Sequence, residues 1–426
     1  MKYQSPPGVF DIIPGEEREP WRNSLLWQYV EDVMRTLAKQ YGYQEIRTPV
    51  IERTELFQRS VGETSDIVSK EMYTFEDRGG RSLSLRPEGT AAVMRAFINA
   101  QMHVNAPIHK LFYIAPMFRY DRPQAGRYRQ HHQFGAEAIG CCVPEQDAEL
   151  IDLLHSVYRK LGLTNLKVLI NSIGDDQSRE NYRDALRDYL RPHFEKLSAD
   201  SQRRFDANPL RIIDSKDSTD QELCRGAPSI LDFLSPSSAE FFAEVRACLD
   251  RLQIPYEVSN SLVRGLDYYN QTVFEIVSSD LGAQSSIGGG GRFDGLIKQL
   301  GGPDLPSAGF GTGIERIIQT MLKQGVALPD QPRPKLFIVP LGDAARRACF
   351  GIMGDLRRFG LDVEMDFTGK KLAKVMSYAD QIKAKYVAVI GENELASGST
   401  ELKEMASGNK QHVAFSDLAE FLAIVR

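Results

Sequence analysis

Four arginines, Arg119, Arg122, Arg127 and Arg129, fall within FRYDRPQAGRYRQHHQFGAE, residues 118–137, beside Asp121, Gln133 and Glu137. Guanidinium stays charged and offers a planar fork of donors, so such a set is suited to gripping a polyanion. The acids and the amide beside it suit a small zwitterion. The flanking runs IHKLFYIAPMF and HHQFGAEAIG are rich in strand formers and PQAG supplies turn chemistry, so the pattern predicts a hairpin. An arginine-rich surface hairpin, solvated and inert, has the same composition.

Three more segments compete for chemistry. In LRPEGT, residues 85–90, an extended Leu85-Arg86-Pro87 precedes a turn into a helix that Thr90 can cap. Glu88 and Thr90 there can receive a substrate ammonium, although an ordinary helix start with an acidic first turn reads the same way. In LVRGLDYYNQTVFEI, residues 262–276, Arg264, Asp267, Tyr268 and Tyr269 cluster before an apolar strand, and a buried, satisfied tyrosine is the plain account of one of them. The fourth site pairs SIGGGGRFDGL with GFGTGIERI. Its glycines permit close backbone approach, and Arg316, one turn into a helix, can lie on a purine or pair with phosphate. Neither G-x-x-x-x-G-K-[ST] nor G-x-G-x-x-G spacing is present, so phosphate chemistry must rest on the arginines. H-E-x-x-H, G-x-S-x-G and paired Cys/His sets are missing too, which leaves zinc hydrolysis and serine-type catalysis without residues and a protein metal site unexpected.

The chain of 426 residues, 42% of them hydrophobic, is long enough for two or three packed domains. Its five cysteines are odd in number and lack C-x-x-C spacing, so neither a disulfide framework nor a zinc knuckle is indicated. MKYQSPPGVFDIIP has two prolines and an aspartate where a secretory signal needs an apolar core, and no apolar run is long enough to span a bilayer; the expectation is a cytoplasmic protein. With a net charge of −5, any RNA partner must be held by local basic patches.

These residues need elements to position them. Residues 20–42 carry apolar side chains at helical spacing and end on Gly42. YQEIRTPVIE then reads as a strand interrupted by Pro49, tolerated only at an edge, bulge or strand start. KVLINSIG, PYEVSN, YNQTVFEIVSS and SSIGGGG add strands, and GFGTGIERIIQTML starts a buried helix. A polar, helical segment at about 176–252 interrupts them. Strands in succession predict an antiparallel sheet flanked by helices with a helical insertion, an α+β arrangement, over residues 1–325. VALPDQPRPK, residues 326–335, reads as a linker. Residues 336–426 alternate strand and helix, as in a small α/β domain with a parallel sheet.

On GYQEIRTPVIE, FRYDRPQAGRYRQHHQFGAE and GFGTGIERI the chain resembles the class II aminoacyl-tRNA synthetases, whose three motifs these match. On LRPEGT, LVRGLDYYNQTVFEI and GGGGRFDGL it resembles the histidyl-tRNA synthetase family over essentially its full length. The resemblance implies ATP-dependent joining of L-histidine to histidine tRNA through histidyl-adenylate, with Mg2+ accompanying ATP. By resemblance, Arg119 holds the α-phosphate and substrate carboxylate, Arg127 the outer phosphates, and Arg316 stacks on adenine, with His131 as the other face. Arg264 bridges carboxylate and α-phosphate as the bond forms. Glu88, Thr90 and Gln133 receive the amino group, with Gly89 at the turn between them; Glu137 and Tyr269 address the imidazole, and Tyr268 lines the pocket. The family commonly has Phe where this chain has His131 and Tyr where it has Phe293; the first change makes a pH-dependent ATP affinity an expectation, and the second removes one polar contact.

The resemblance further implies a homodimer built on the first motif, an insertion lying over the acceptor stem, and an anticodon-binding final domain in which Arg346, Arg347, Lys370, Lys371 and Lys374 are offered as backbone contacts. A non-catalytic relative, either a regulatory subunit of ATP phosphoribosyltransferase or a tRNA-sensing pseudo-synthetase, is the alternative. Such proteins usually lose parts of the pocket or the tail, which this chain keeps.

Overall fold

The structure, a computed structural model, describes residues 3–424 apart from 63, 64, 66, 122–125, 207, 265, 267, 281–285 and 330–332. Arg122, the turn residues 123–125 and Asp267 therefore lie outside the described residues. The chain divides into two compact units, Met1–Pro329 and Asp330–Arg426.

The first unit opens with helix α1 (Ser24–Gln40), whose N-terminus is capped by the Asn23 side chain and whose exit passes through Gly42 at φ 81°. Then come β1 (Gln44–Glu45), β2 (Ile51–Arg53), α2 (Thr54–Val61), β3 (Thr74–Glu76), β4 (Ser82–Leu85), α3 (Thr90–Asn99), β5 (His109–Phe118), β6 (Gln130–Ile139), α4 (Pro144–Lys160) and β7 (Leu166–Ser172). Helices α5 (Asp176–Leu190), α6 (Ala199–Arg204), α7 (Leu210–Ile213), α8 (Ser218–Cys224) and α9 (Pro236–Arg251) follow. The unit closes with β8 (Tyr256–Val258), β9 (Asn270–Ser278), β10 (Ser286–Arg292), α10 (Leu296–Gln299), β11 (Ser307–Gly313) and α11 (Ile314–Lys323).

Eight strands form one sheet in the order β1-β5-β6-β11-β10-β9-β7-β8. Only the outer pairs, β1 with β5 and β7 with β8, run parallel; the others are antiparallel. Because side chains alternate across a strand, the sheet has two distinct faces. Phe112, Phe134, Phe274 and Phe310 point to one face and pack with α1, α4, α9 and α11. Leu111, Tyr113, Met117 and Val273 point to the other, where α3 and side chains from α5 to α7 cover them. The polar segment at 176–252 is thus shared between faces: Tyr182 and Leu186 of α5 belong to one core, Phe242 and Val245 of α9 to the other.

Two expectations change. YQEIRTPVIE is two strands: β1 joins the edge of the large sheet, while β2 joins β4 and β3 in a separate three-stranded sheet. Pro49 has no N–H to continue a ladder, and buried Arg86 gathers the freed carbonyls, donating to Thr48 O at 2.8 Å, Pro49 O at 3.3 Å and Pro116 O at 2.9 Å. GFGTG is not the start of a helix but the central strand β11, with α11 beginning at Ile314. Its glycines make it a strand that neighbouring side chains can cross: a Cβ at Gly309 would stand 1.9 Å from Glu137 Oε2, and one at Gly311 would stand 1.8 Å from Gln133 Nε2.

The second unit contains β12 (Leu336–Pro340), α12 (Asp343–Arg358), β13 (Val363–Met365), α13 (Leu372–Gln381), β14 (Tyr386–Ile390), α14 (Glu392–Ser397), β15 (Ser399–Glu404), β16 (Lys410–Ala414) and α15 (Leu418–Ile424). Strands β13, β12 and β14 are parallel, and the hairpin of β15 and β16 extends the sheet antiparallel. Charged residues in STELKE and KQHVA hid that hairpin from a reading by apolar pattern. Arg346, Arg347, Lys370, Lys371 and Lys374 are exposed, with Arg346 paired to Asp343 at 2.9 Å.

Candidate active site

On the second face of the large sheet lies a polar cavity of about 310 Å³ lined by Arg119, Arg127, His131, Gln133, Arg264 and Arg316, among others. Four guanidinium groups from three separated segments therefore meet in one space. Each is held by a fixed acceptor. Arg119 Nε donates to Pro87 O at 2.9 Å, and Arg127 Nη1 to Asp121 Oδ2 at 3.0 Å. Arg264 Nη1 donates to Glu275 Oε1 at 3.0 Å, an oxygen that also accepts from Ser286 Oγ at 2.6 Å. Arg316 donates to Gly126 O at 3.1 Å and Ser286 O at 2.6 Å, which sets the plane of its fork.

Burial pulls Arg119 and Arg316 below the ordinary arginine value, and for Arg316 the charges of Arg127 and Arg119 add to the effect. Cations crowded in this way are stabilised by a bound anion. Next door, Glu315 at the start of α11 accepts from His132 N at 2.8 Å and 3.1 Å, tying that helix to β6.

Of the residues expected to hold an amino acid, Glu88, Thr90, Glu137, Tyr268 and Tyr269 are buried, while Gln133 is half-buried and lines the cavity. Thr90 does not cap α3: it is the first helical residue, after Gly89, and the Glu88 carboxylate takes the capping role by accepting from Thr90 N at 2.7 Å and Ala91 N at 3.0 Å. A carboxylate there satisfies two donors where a hydroxyl satisfies one, so Thr90 is released to donate to Glu137 Oε1 at 2.7 Å. Glu137 Oε2 and Gln133 Oε1 are buried without a hydrogen-bond partner among the described residues. Burial pushes the Glu137 carboxyl well above the usual range, and the nearby Glu88 charge raises it further. Orphaned acceptors of this kind are costly and ask for a donor.

Tyr268 and Tyr269 are both buried, with ring centroids 4.7 Å apart, and Phe293 packs against Tyr268 at 5.3 Å. The missing hydroxyl at Phe293 thus falls in an aromatic cluster. For His131, burial, then the charges of Arg119, His132 and Arg316, lowers the pKa from 6.5 to about 3, which keeps the ring neutral between pH 6 and 8 in the protein without ATP and argues against the expected pH dependence.

Four participants were not singled out in the sequence. Tyr113 is clamped between Gly89 and Gly135, where a Cβ on either would come within 2.3 Å of its ring. Its signal was period-two spacing with Leu111 and Ala115. Glu275, an acid in the apolar run TVFEIV, could have been noticed; Glu71, a cavity-lining residue, carried no local signal. Arg179 of α5 donates to Tyr269 O at 2.9 Å, a contact made across 90 residues.

An antiparallel sheet that collects arginines from distant segments around a polar cavity, with neither a P-loop nor a dinucleotide turn, is the catalytic fold of class II aminoacyl-tRNA synthetases. The family model "Histidyl-tRNA synthetase" matches residues 26–317, and "Anticodon binding domain" matches residues 335–423. Similar proteins include "Histidine--tRNA ligase" of Protochlamydia amoebophila (strain UWE25), 63% identical over 99% of this chain and 100% of the relative. That of Bacillus subtilis (strain 168) is 47% identical over 100% of this chain and 99% of its own. The apo S. aureus histidyl-tRNA synthetase superposes with a TM-score of 0.83 at 37% identity, covering 99% of this chain and 100% of that one. The chain belongs to the histidyl-tRNA synthetase family.

Proposed function

We infer that the protein is a histidine–tRNA ligase that uses ATP, L-histidine and tRNA as substrates. The observation that carries this reading is the cluster of guanidinium groups beside a buried carboxylate and amide whose Oε2 and Oε1 are unpartnered. In the first step a carboxylate oxygen of histidine attacks the α-phosphorus, the bond to the β-phosphate breaks, and pyrophosphate leaves with the electron pair. In the second, a terminal tRNA hydroxyl attacks the carbonyl carbon and AMP leaves. Neither step needs a covalent enzyme nucleophile; placement and charge neutralisation suffice.

Arg119 and Arg264 hold the reacting carboxylate and α-phosphate, Arg127 the outer phosphates, and Arg316 with neutral His131 the adenine. Glu88, Thr90 and Gln133 take the ammonium, with Gly89 keeping the turn open, while Glu137, Tyr268 and Tyr269 form the imidazole pocket. Such a pocket rejects apolar analogues by about four or five orders of magnitude, because they leave its buried groups unpaired. Mg2+ escorted by ATP takes most of its ligands from phosphate and water, so the cavity-lining carboxylates Glu71 and Asp121 would be the residues to hold it, and it would supply neutralisation of the outer phosphates.

The second unit binds the anticodon, reading splayed bases with lysines and arginines on the backbone, and the helices of 176–252 lie over the acceptor stem. The enzyme acts in the cytoplasm as a homodimer, supported by β1 at the sheet edge, by exposed Val50 and Ile51 shortly after it, and by exposed Phe75 on the three-stranded sheet that β2 joins. The regulatory alternative finds no support among relatives matched at high identity over their full length.

The test is histidine-dependent exchange of pyrophosphate into ATP. Exchange with histidine and no other amino acid is expected, and tight histidine binding without exchange would contradict the reading. Arg264→Ala should lower turnover far more than histidine affinity, since its contacts strengthen in the transition state.

A further inference from the structure

The segment before α1 runs back over the arginine hairpin. Gly8 O accepts from Arg129 N at 2.7 Å, an approach so close that a Cβ on Gly8 would stand 2.8 Å from Arg129 Cγ. Two residues on, half-buried Phe10 sits among three rings, its centroid 4.6 Å from that of Trp21, 6.2 Å from Trp27 and 5.0 Å from Tyr128. Trp21 also stacks on Tyr128, at 5.0 Å and 25°. Trp27 is a core residue of α1 and its Nε1 donates to Trp21 O at 2.8 Å, so the ring cluster stands on the body of the fold.

The hydroxyl end of Tyr128 is held from α11, where Gln319 Nε2 donates to Tyr128 Oη at 2.7 Å. One turn earlier on that helix, Arg316 donates to Gly126 O at 3.1 Å. Arg127 therefore lies between two residues, Gly126 and Tyr128, that are tied to α11 and to the N-terminal segment. Its own guanidinium lines the cavity and reaches Asp121. Neither Phe10 nor Gln319 is among the described residues that line that cavity.

A guanidinium grips phosphate only where its backbone holds it, and a misplacement of about 1 Å can cost about 100-fold in rate. Aromatic pairs prefer edge-to-face or offset-stacked geometry, so rings packed on Tyr128 set its orientation as well as its place. We propose that Phe10 and Gln319, acting through Tyr128, are positioning residues for Arg127: they clamp the return limb of the hairpin so that this guanidinium meets the outer phosphates of ATP and the pyrophosphate that leaves. The proposal rests on the ligase reading, in which Arg127 holds those phosphates. It confines the effect of the clamp to ligands that carry them.

A full-length Phe10→Ala enzyme tests this in histidine-dependent pyrophosphate exchange. KM for ATP and for pyrophosphate should both rise roughly tenfold, the worth of one charge-assisted hydrogen bond, while histidine KM stays within about twofold of the parent. Affinity for a sulfamoyl analogue of histidyl-adenylate, which lacks outer phosphates, should be equally unmoved. In an Arg127→Gln background, Phe10→Ala should add no further loss for ATP, because the clamp then has no guanidinium to place. Additive losses would overturn the proposal, as would an unchanged ATP KM. A fall in affinity for the analogue in parallel with that for ATP would overturn it too, since the whole site would then have shifted. Gln319→Leu removes one hydrogen bond at the opposite end of Tyr128 and keeps the test open if Phe10→Ala does not fold; it should raise both KM values in the same direction, and parental values would count against the clamp. An Arg127→Gln enzyme with the parent's ATP KM, or a parent without any exchange, would instead defeat the reading on which the proposal rests.

Discussion

Replacing Gly311 with alanine separates catalysis from folding. The new methyl would stand 1.8 Å from Gln133 Nε2, with the next atoms of that side chain at 3.0 Å and 3.6 Å and no backbone atom among the three nearest. To reach an ordinary contact of 3.4 Å, the amide must withdraw by about 1.6 Å. Gln133 is a flexible side chain beside a cavity, so the fold should lose only the cost of an off-rotamer torsion, about 0.5–1.5 kcal/mol. The substrate ammonium loses a charge-assisted hydrogen bond worth about 1.5–3 kcal/mol. At about 1.4 kcal/mol per decade, histidine KM in pyrophosphate exchange rises roughly 10- to 100-fold, with little change in ATP KM. Gly290→Ala is the contrasting variant, because its methyl would meet backbone, Gly309 O at 2.0 Å and Phe310 Cα at 2.6 Å. Strands β10 and β11 would have to part, at a cost of about 3 kcal/mol, and a lowered melting temperature should report it. A folded Gly311→Ala enzyme whose histidine KM stays within twofold of the parent would refute the role given to Gln133.

Three further outcomes are expected. His131→Phe and the parent should share one pH profile of ATP KM between pH 6 and 8, because the imidazole is already neutral there; profiles that diverge would restore the titrating ring. Glu137 has a folded pKa above its ordinary 4.5, so the native state binds the proton more tightly and stability falls as pH rises through and above that value. Glu137→Gln should lack this fall and yet bind histidine more weakly, which denaturant titrations at several pH values and exchange kinetics will check; a parent and variant with parallel stability curves would contradict it. Asp147→Ala should cost about 3 kcal/mol, the low end for breaking a buried pair, because fully buried Arg292 loses its closest carboxylate and keeps only Asp294 at 3.1 Å; chemical denaturation showing a loss below 1 kcal/mol would mean that Asp294 compensates the charge by itself.

Much of the fold was legible because it is written in local periodicity. The hairpin of β5 and β6, the helical α1 and the alternation of the second unit all follow from apolar spacing and turn residues. What escaped had no local mark. GFGTG reads as the start of a helix, since a strand of glycines has no side-chain alternation to show; its strand is one that Gln133 and Glu137 of β6 cross, filling the space that Cβ atoms would take.

The residue types of the site, four arginines with the acids and the amide among them, were set by the amino-acid sequence, because charge and hydrogen-bonding capacity belong to each side chain wherever it sits. Tertiary structure alone decided which of them share a cavity, that Glu88 and not Thr90 caps α3, and that burial and neighbouring cations lower the His131 pKa. Proximity across 47 residues, as between Thr90 and Glu137, and desolvation by neighbours from other strands are properties of packing, and no local stretch of chain encodes them.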